Sequence, residues 1–291
     1  MPNNAVINSR FIALALAAGL AFGCSKEPVA IAKTTYNAAL QSSCAAAERP
    51  GLAGIHDDEI SENGIRFSVR TPVNYDSTIP HPLLLVYPGA GQSRFATERF
   101  TGFTFGATAA GFIVAYPDHR SLSLKTLDEF ATIPVSIAAK WCIDGERIYL
   151  TGHSDGGTAA TAIAFREDDG FSPSAIAPSA AGLSASHLEE IDCPAPLPVM
   201  VLHNSGDSLF PDFGAQAASW WAACNRCDPG SRQQLSETCF EYAKCPQNAS
   251  VRYCEEPGGH RKWPAKNDEV LNFFSTIQKG PTADKNVAPS T

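Results

Sequence analysis

The chain has 291 residues, with 30 acidic against 22 basic side chains and a formal charge of −8 at neutral pH. That length suffices for one large buried core. The acidic balance, with no basic patch and no interleaving of basic and aromatic residues, argues against a nucleic-acid partner, and no internal repeat is present.

Residues 1–23 read as an export leader. Arg10 is their one charge, and the apolar run at 11–22 falls short of the ~20 residues that a spanning helix needs. The run ends at Ala21-Phe22-Gly23-Cys24-Ser25, which resembles a bacterial lipoprotein cleavage site. Cys24 is therefore the expected lipidation point and membrane anchor, with ordinary cleavage near Gly23 as the alternative. Residues 24–43 read as a tether, 44–278 as the folded domain and 279–291 as a tail of polar and small residues.

Within the domain, residues 64–69 alternate and predict a strand paired with what precedes it at a sheet edge. Short apolar runs at 82–87, 111–116, 147–151 and 197–203 have the character of strands buried on both faces of a parallel sheet. A last strand is expected at 250–253. Helices are expected at 132–141, 157–165, 214–224 and 268–277, the last with Leu271, Phe274 and Ile277 on one face. Alternating strands and helices give a layered α/β fold with a mostly parallel central sheet flanked by helices.

Nine cysteines make an odd count. With Cys24 set aside, Cys44, Cys142, Cys193, Cys224, Cys227, Cys239, Cys245 and Cys254 can form four disulfides, which suits an oxidising compartment. Their pairing is not readable. Cys224-x-x-Cys227 has redox or zinc spacing, but five cysteines crowd into 224–254 among turn-forming residues, so a stapled surface loop is expected there.

Gly152-His153-Ser154-Asp155-Gly156 lies between the 147–151 strand and the 157–165 helix. A serine on a strand-to-helix turn this sharp needs neighbours at minus two and plus two that are nearly free of side chain. The turn exposes the hydroxyl, and the helix N-terminus stabilises negative charge. A serine hydroxyl becomes nucleophilic when a histidine takes its proton and an acid orients that histidine. Asp207, just past the 197–203 strand, fits the acid, with Asp212 as its competitor. His260, after 250–253 and behind Gly258-Gly259, fits the base. His203 reads as a structural residue at a strand end, and His187 precedes the acid. Asp155 and Ala90 are the expected amide donors to an oxyanion, Gly91 standing in if Ala90 does not. Gly91, His153, Phe210 and Trp263 are the expected substrate contacts, while Trp220 and Trp221 cannot both face one way.

Five blocks in order resemble the secreted feruloyl esterase and polyhydroxybutyrate depolymerase group of α/β hydrolases. They are Pro88-Gly89-Ala90-Gly91-Gln92-Ser93, residues 111–118, residues 142–157 with the Ser154 turn, residues 203–211 with Asp207, and Gly258-Gly259-His260-Arg261-Lys262-Trp263-Pro264. The resemblance implies the α/β-hydrolase fold and ester hydrolysis through an acyl-enzyme, with Ser154, Asp207 and His260 as the triad, no cofactor and no metal. Its substrate would be a small or oligomeric ester. Three departures stand out: Pro88 replaces a histidine, Asn204 replaces a glycine, and one extra residue lies between His260 and Trp263. Two other functions stay open, hydrolysis of another polymer such as a polyamide of acidic residues, and a non-catalytic surface lipoprotein on a hydrolase scaffold. Oligomeric state is not readable.

Overall fold

The structure is a computed structural model that describes residues 44, 49–166, 171–246 and 249–277. The leader, Cys24, the tether and the tail lie outside the described residues. In chain order the elements are β1 (Ile55–Ile60), β2 (Arg66–Arg70), β3 (His81–Tyr87), α1 (Arg94–Thr101), α2 (Phe103–Ala109), β4 (Ile113–Pro117), α3 (Leu124–Ala131), α4 (Ile133–Ala138) and β5 (Ile143–His153). They continue with α5 (Asp155–Ala164), β6 (Ala175–Ser179), α6 (Ala185–Glu189), β7 (Val199–Asn204), α7 (Phe213–Cys224), β8 (Asp228–Gln234), β9 (Cys239–Ala243), β10 (Val251–Glu256) and α8 (Asn267–Thr276).

Among the described residues ten strands form one sheet, in the order β1-β2-β4-β3-β5-β6-β7-β10-β9-β8. The central run from β4 to β10 is parallel, and an antiparallel pair closes each edge. The apolar runs follow from this arrangement, because a parallel strand covered on both faces has no polar side. In β3, Leu83, Leu85 and Tyr87 face one core and Leu84 and Val86 the other, all fully buried. Each such side chain contributes about 1.5–3 kcal/mol of burial. Helices α3 to α7 cover the first face, and α2 and α8 cover the second. Among the described residues no helix is long and apolar enough to cross a membrane.

The helix expected at 132–141 is shorter, α4 at Ile133–Ala138, and a separate helix, α3, runs directly before it. Pro134 sits in the first turn of α4, where its missing N–H costs nothing, although it could not have continued a helix from upstream. The 224–254 segment is likewise not a loop: β8 and β9 extend the sheet beyond β10. The disulfides are Cys44–Cys142, Cys193–Cys224, Cys227–Cys245 and Cys239–Cys254. Cys224 and Cys227 thus belong to different bridges. Cys239 and Cys254 are direct cross-strand partners, so their bridge bolts the extension to the strand that leads to His260.

Candidate active site

Strand β5 ends at His153 and α5 starts at Asp155, so Ser154 alone makes the corner, at φ 57° and ψ −117°. For a residue with a side chain this costs about 1–3 kcal/mol. The corner survives because the flanking glycines let backbones touch. A Cβ on Gly156 would stand 2.1 Å from the Tyr87 carbonyl oxygen, and one on Gly152 would stand 2.6 Å from the same oxygen. Gly157 is equally confined, with the Ser179 carbonyl oxygen 2.4 Å from its Cβ position. The Ser154 amide donates to that Ser179 oxygen at 3.0 Å.

Strands β7 and β10 are parallel neighbours that end in register, Asn204 opposite Glu256. Their following loops leave the sheet side by side and are joined by Ser205 N–H to Glu256 O at 2.9 Å and Gly206 N–H to Gly258 O at 2.8 Å. This brings Asp207 to His260. His260 Nδ1 lies 2.8 Å from Asp207 Oδ2, and His260 Nε2 lies 2.9 Å from Ser154 Oγ. The other carboxylate oxygen accepts the Leu209 and Phe210 amides at 2.9 and 3.0 Å. Burial of Asp207 pushes its carboxyl up, but the His260 bond and the Phe210 and Leu209 amides outweigh it and hold the group below the usual carboxylate value. An ionised Asp207 requires the proton on His260 Nδ1, which leaves the Nε2 lone pair facing the serine hydroxyl. Asp212 is exposed at the start of α7 and takes no part.

The loop after β3 runs beside the corner, since the Gly156 Cβ position is also 3.0 Å from the Pro88 carbonyl. Gln92 Oε1 accepts the Gly89 amide at 3.1 Å. Arg94 anchors the far end, its amide and guanidinium both donating to the Asp118 carboxylate. Ala90 and Gly91 are exposed, and Gly91 takes φ +70°. The Asp155 amide is the first of α5, one of the N–H groups that a helix leaves without an internal acceptor. Its side chain is held by His119 Nε2 at 3.1 Å. His119 carries no mark of this role in the sequence, because nothing in its neighbourhood signals a contact 36 residues away.

His153 needs correcting as a substrate contact. It is 5 % exposed, with Nδ1 bonded to Ser179 Oγ at 2.9 Å and Nε2 to the His260 carbonyl at 2.6 Å. Burial lowers its pKa to about 4, so the ring is neutral. Phe210 does border the relay, its ring perpendicular to His260 at 4.9 Å. Trp263 is buried, its edge packed on Phe103 and its indole N–H given to Asn267 at 2.7 Å. Trp220 and Trp221 pack perpendicular to each other and against Phe165, at the far end of α5 from Ser154. His203 is buried under Gly214 of α7, and His187 caps α6 with Ser184.

A cleft of about 600 Å³ lies beside the relay rather than over it, lined by Phe100, Arg261, Lys262, Trp263, Asn267 and Asp268 among others. Phe100, on its wall, meets the His153 ring edge-on at 5.2 Å. Among the described residues no group of three His, Cys, Asp or Glu side chains could hold a metal ion.

No family model matches the chain. Over 151 residues it is 30% identical to NocK of Nocardia uniformis subsp. tsuyamanensis, an esterase by name. The match takes in 47% of this chain and 43% of NocK, so the chain spans less than half of that relative. Among solved structures, an acetyl xylan esterase from Aspergillus awamori superposes with a TM-score of 0.59 at 14% identity, over 77% of this chain and 99% of the other. A thermostable esterase gives 0.55 at 20% identity, over 78% of this chain and 63% of its own. A truncated carbohydrate esterase from gut microbiota gives 0.53 at 13% identity, over 80% and 98%. At such identities what is shared is the architecture, and by that architecture the chain belongs with the α/β-hydrolase fold.

Proposed function

We propose that the protein is a serine carboxylesterase working through an acyl-enzyme on Ser154. The observation that carries this reading is the continuous relay from Ser154 Oγ to His260 at 2.9 Å and from His260 to Asp207 at 2.8 Å. In the first step Ser154 Oγ attacks the ester carbonyl carbon as its proton passes to His260 Nε2. Negative charge collects on the carbonyl oxygen, facing the Asp155 and Ala90 amides; losing one such donor costs about 100- to 1,000-fold in rate. Asp207 stabilises the imidazolium. Collapse breaks the ester C–O bond, and the alcohol leaves with the proton from His260. Water then attacks the acyl-serine by the same route and releases the acid.

The acyl group is of feruloyl or hydroxybutyrate type in this reading. The rings of Phe210 beside His260 and of Phe100 and Trp263 beside the cleft support a flat or apolar acyl chain. The four disulfides support an exported protein in an oxidising compartment, with Cys24 as its lipid anchor. The test is hydrolysis of methyl ferulate, short p-nitrophenyl esters, hydroxybutyrate oligomers and a polyaspartate amide by the purified domain. Ester turnover is expected, and its ranking names the acyl class. Turnover of the amide alone would transfer the relay to the polyamide reading, and no turnover by folded protein would favour the non-catalytic lipoprotein.

A further inference from the structure

The segment that carries His260 lies outside any helix or strand. Strand β10 ends at Glu256 and α8 begins at Asn267, and two glycines directly precede the histidine, Gly258 at φ +154°. Glycines lose more freedom on ordering than any other residue. Two buried side chains at strand ends meet this segment. Asn204, the last residue of β7 and 1 % exposed, donates through Nδ2 to the Gly259 carbonyl at 3.1 Å and the Lys262 carbonyl at 2.6 Å. His153, the last residue of β5, reaches the His260 carbonyl at 2.6 Å. A carbonyl only accepts, so His153 Nε2 carries the proton, and in the neutral ring Nδ1 accepts from the Ser179 hydroxyl. The main-chain oxygens of residues 259, 260 and 262 are therefore all tied to rigid strand ends.

We propose that Asn204 and His153 are positioning residues that clasp the main chain on both sides of His260 and set its imidazole against Ser154 and Asp207. The inference rests on the acyl-transfer reading of that site. It also accounts for two departures at once. The His260 segment is one residue longer than the pattern it resembles, and position 204, glycine in that pattern, here carries an amide that bonds the lengthened segment at Lys262. A glycine there would have no side chain to reach it.

The test compares Asn204→Ala, His153→Phe and His153→Gln with the wild type on whichever ester the wild type hydrolyses best, after circular dichroism establishes folding. Because a displacement near 1 Å costs about 100-fold, Asn204→Ala and His153→Phe are each expected to lose about 10- to 100-fold in kcat with KM within about threefold. Glutamine places an N–H where His153 Nε2 stands, so His153→Gln should recover most of the loss. Folded variants that keep kcat within about twofold, that change KM alone, or a glutamine variant no better than phenylalanine would overturn the clasp. Either variant carries the test if the other fails to fold. A wild type that hydrolyses no ester would instead overturn the acyl-transfer reading. The clasp is then read from the downfield proton resonance of His260 Nδ1–H, which should be sharp in the wild type and broadened or lost in the variants; an unchanged resonance would overturn it.

Discussion

Replacing His153 with phenylalanine should change how stability depends on pH, in a direction and amount fixed by its burial. Desolvation lowers the His153 pKa from 6.5 to about 4, even though its bond to the His260 carbonyl pulls the other way. The folded state thus keeps the ring neutral in a range where the unfolded chain binds a proton, so stability is fully present above pH 6.5 and is lost as pH falls toward 4. At about 1.4 kcal/mol per tenfold change in proton affinity, the loss attributable to His153 is about 3 kcal/mol. His203 is also pushed down by burial and adds a slope of the same sign, but it is common to both proteins. His153→Phe keeps a ring against Phe100 and Trp263 and removes the titration. At pH 7 it should be less stable by about 1–3 kcal/mol, because the part-buried His260 carbonyl loses its donor. Near pH 4 the two proteins should converge or cross. Urea unfolding at intervals from pH 4 to 7.5 reads both curves. Parallel curves would refute the reasoning, since they would mean that His153 is solvated or already charged in the folded protein.

Gly156→Ala should push the Tyr87 carbonyl and the following loop aside by about 1 Å, costing about 100-fold in kcat/KM and about 1–3 kcal/mol in urea, since its Cβ would begin 2.1 Å from that oxygen. Asp207→Asn keeps an oxygen for the Leu209 and Phe210 amides but turns His260 toward the wrong tautomer. An expected drop in kcat of about 10⁴-fold, with little change in the urea midpoint, is checked by steady-state kinetics beside the unfolding curve. Replacing Cys239 and Cys254 together by serine opens a bridge with a sequence separation of 15. A loss of about 3 kcal/mol is expected by denaturant unfolding, with activity lost at lower denaturant because the bridge braces the strand leading to His260.

What could be read from the sequence was what local physics writes there. The runs that became β3, β4, β5 and β7 are apolar because both of their faces are covered. The Gly-x-Ser-x-Gly spacing is visible because backbone contact at Gly152 and Gly156 tolerates no side chain. The elements not read lack such a mark. Strand β6 is Ala-Ile-Ala-Pro-Ser, with neither alternation nor length. Strand β8 is polar and largely exposed, and belongs to the sheet through its pairing with β9 and nearby disulfides. His153 carried no sign that its ring turns away from the hydroxyl of the next residue. The partners of Asn204 lie 55 and 58 residues downstream, which only the meeting of two loops reveals.

The most direct test of the account is the intact mass of the folded protein after treatment with a fluorophosphonate, followed by mapping of the modified peptide. One added phosphonyl group, on Ser154, is expected in the wild type and almost none in His260→Ala. A folded wild type that takes no label, or takes it on a residue other than Ser154, would contradict it.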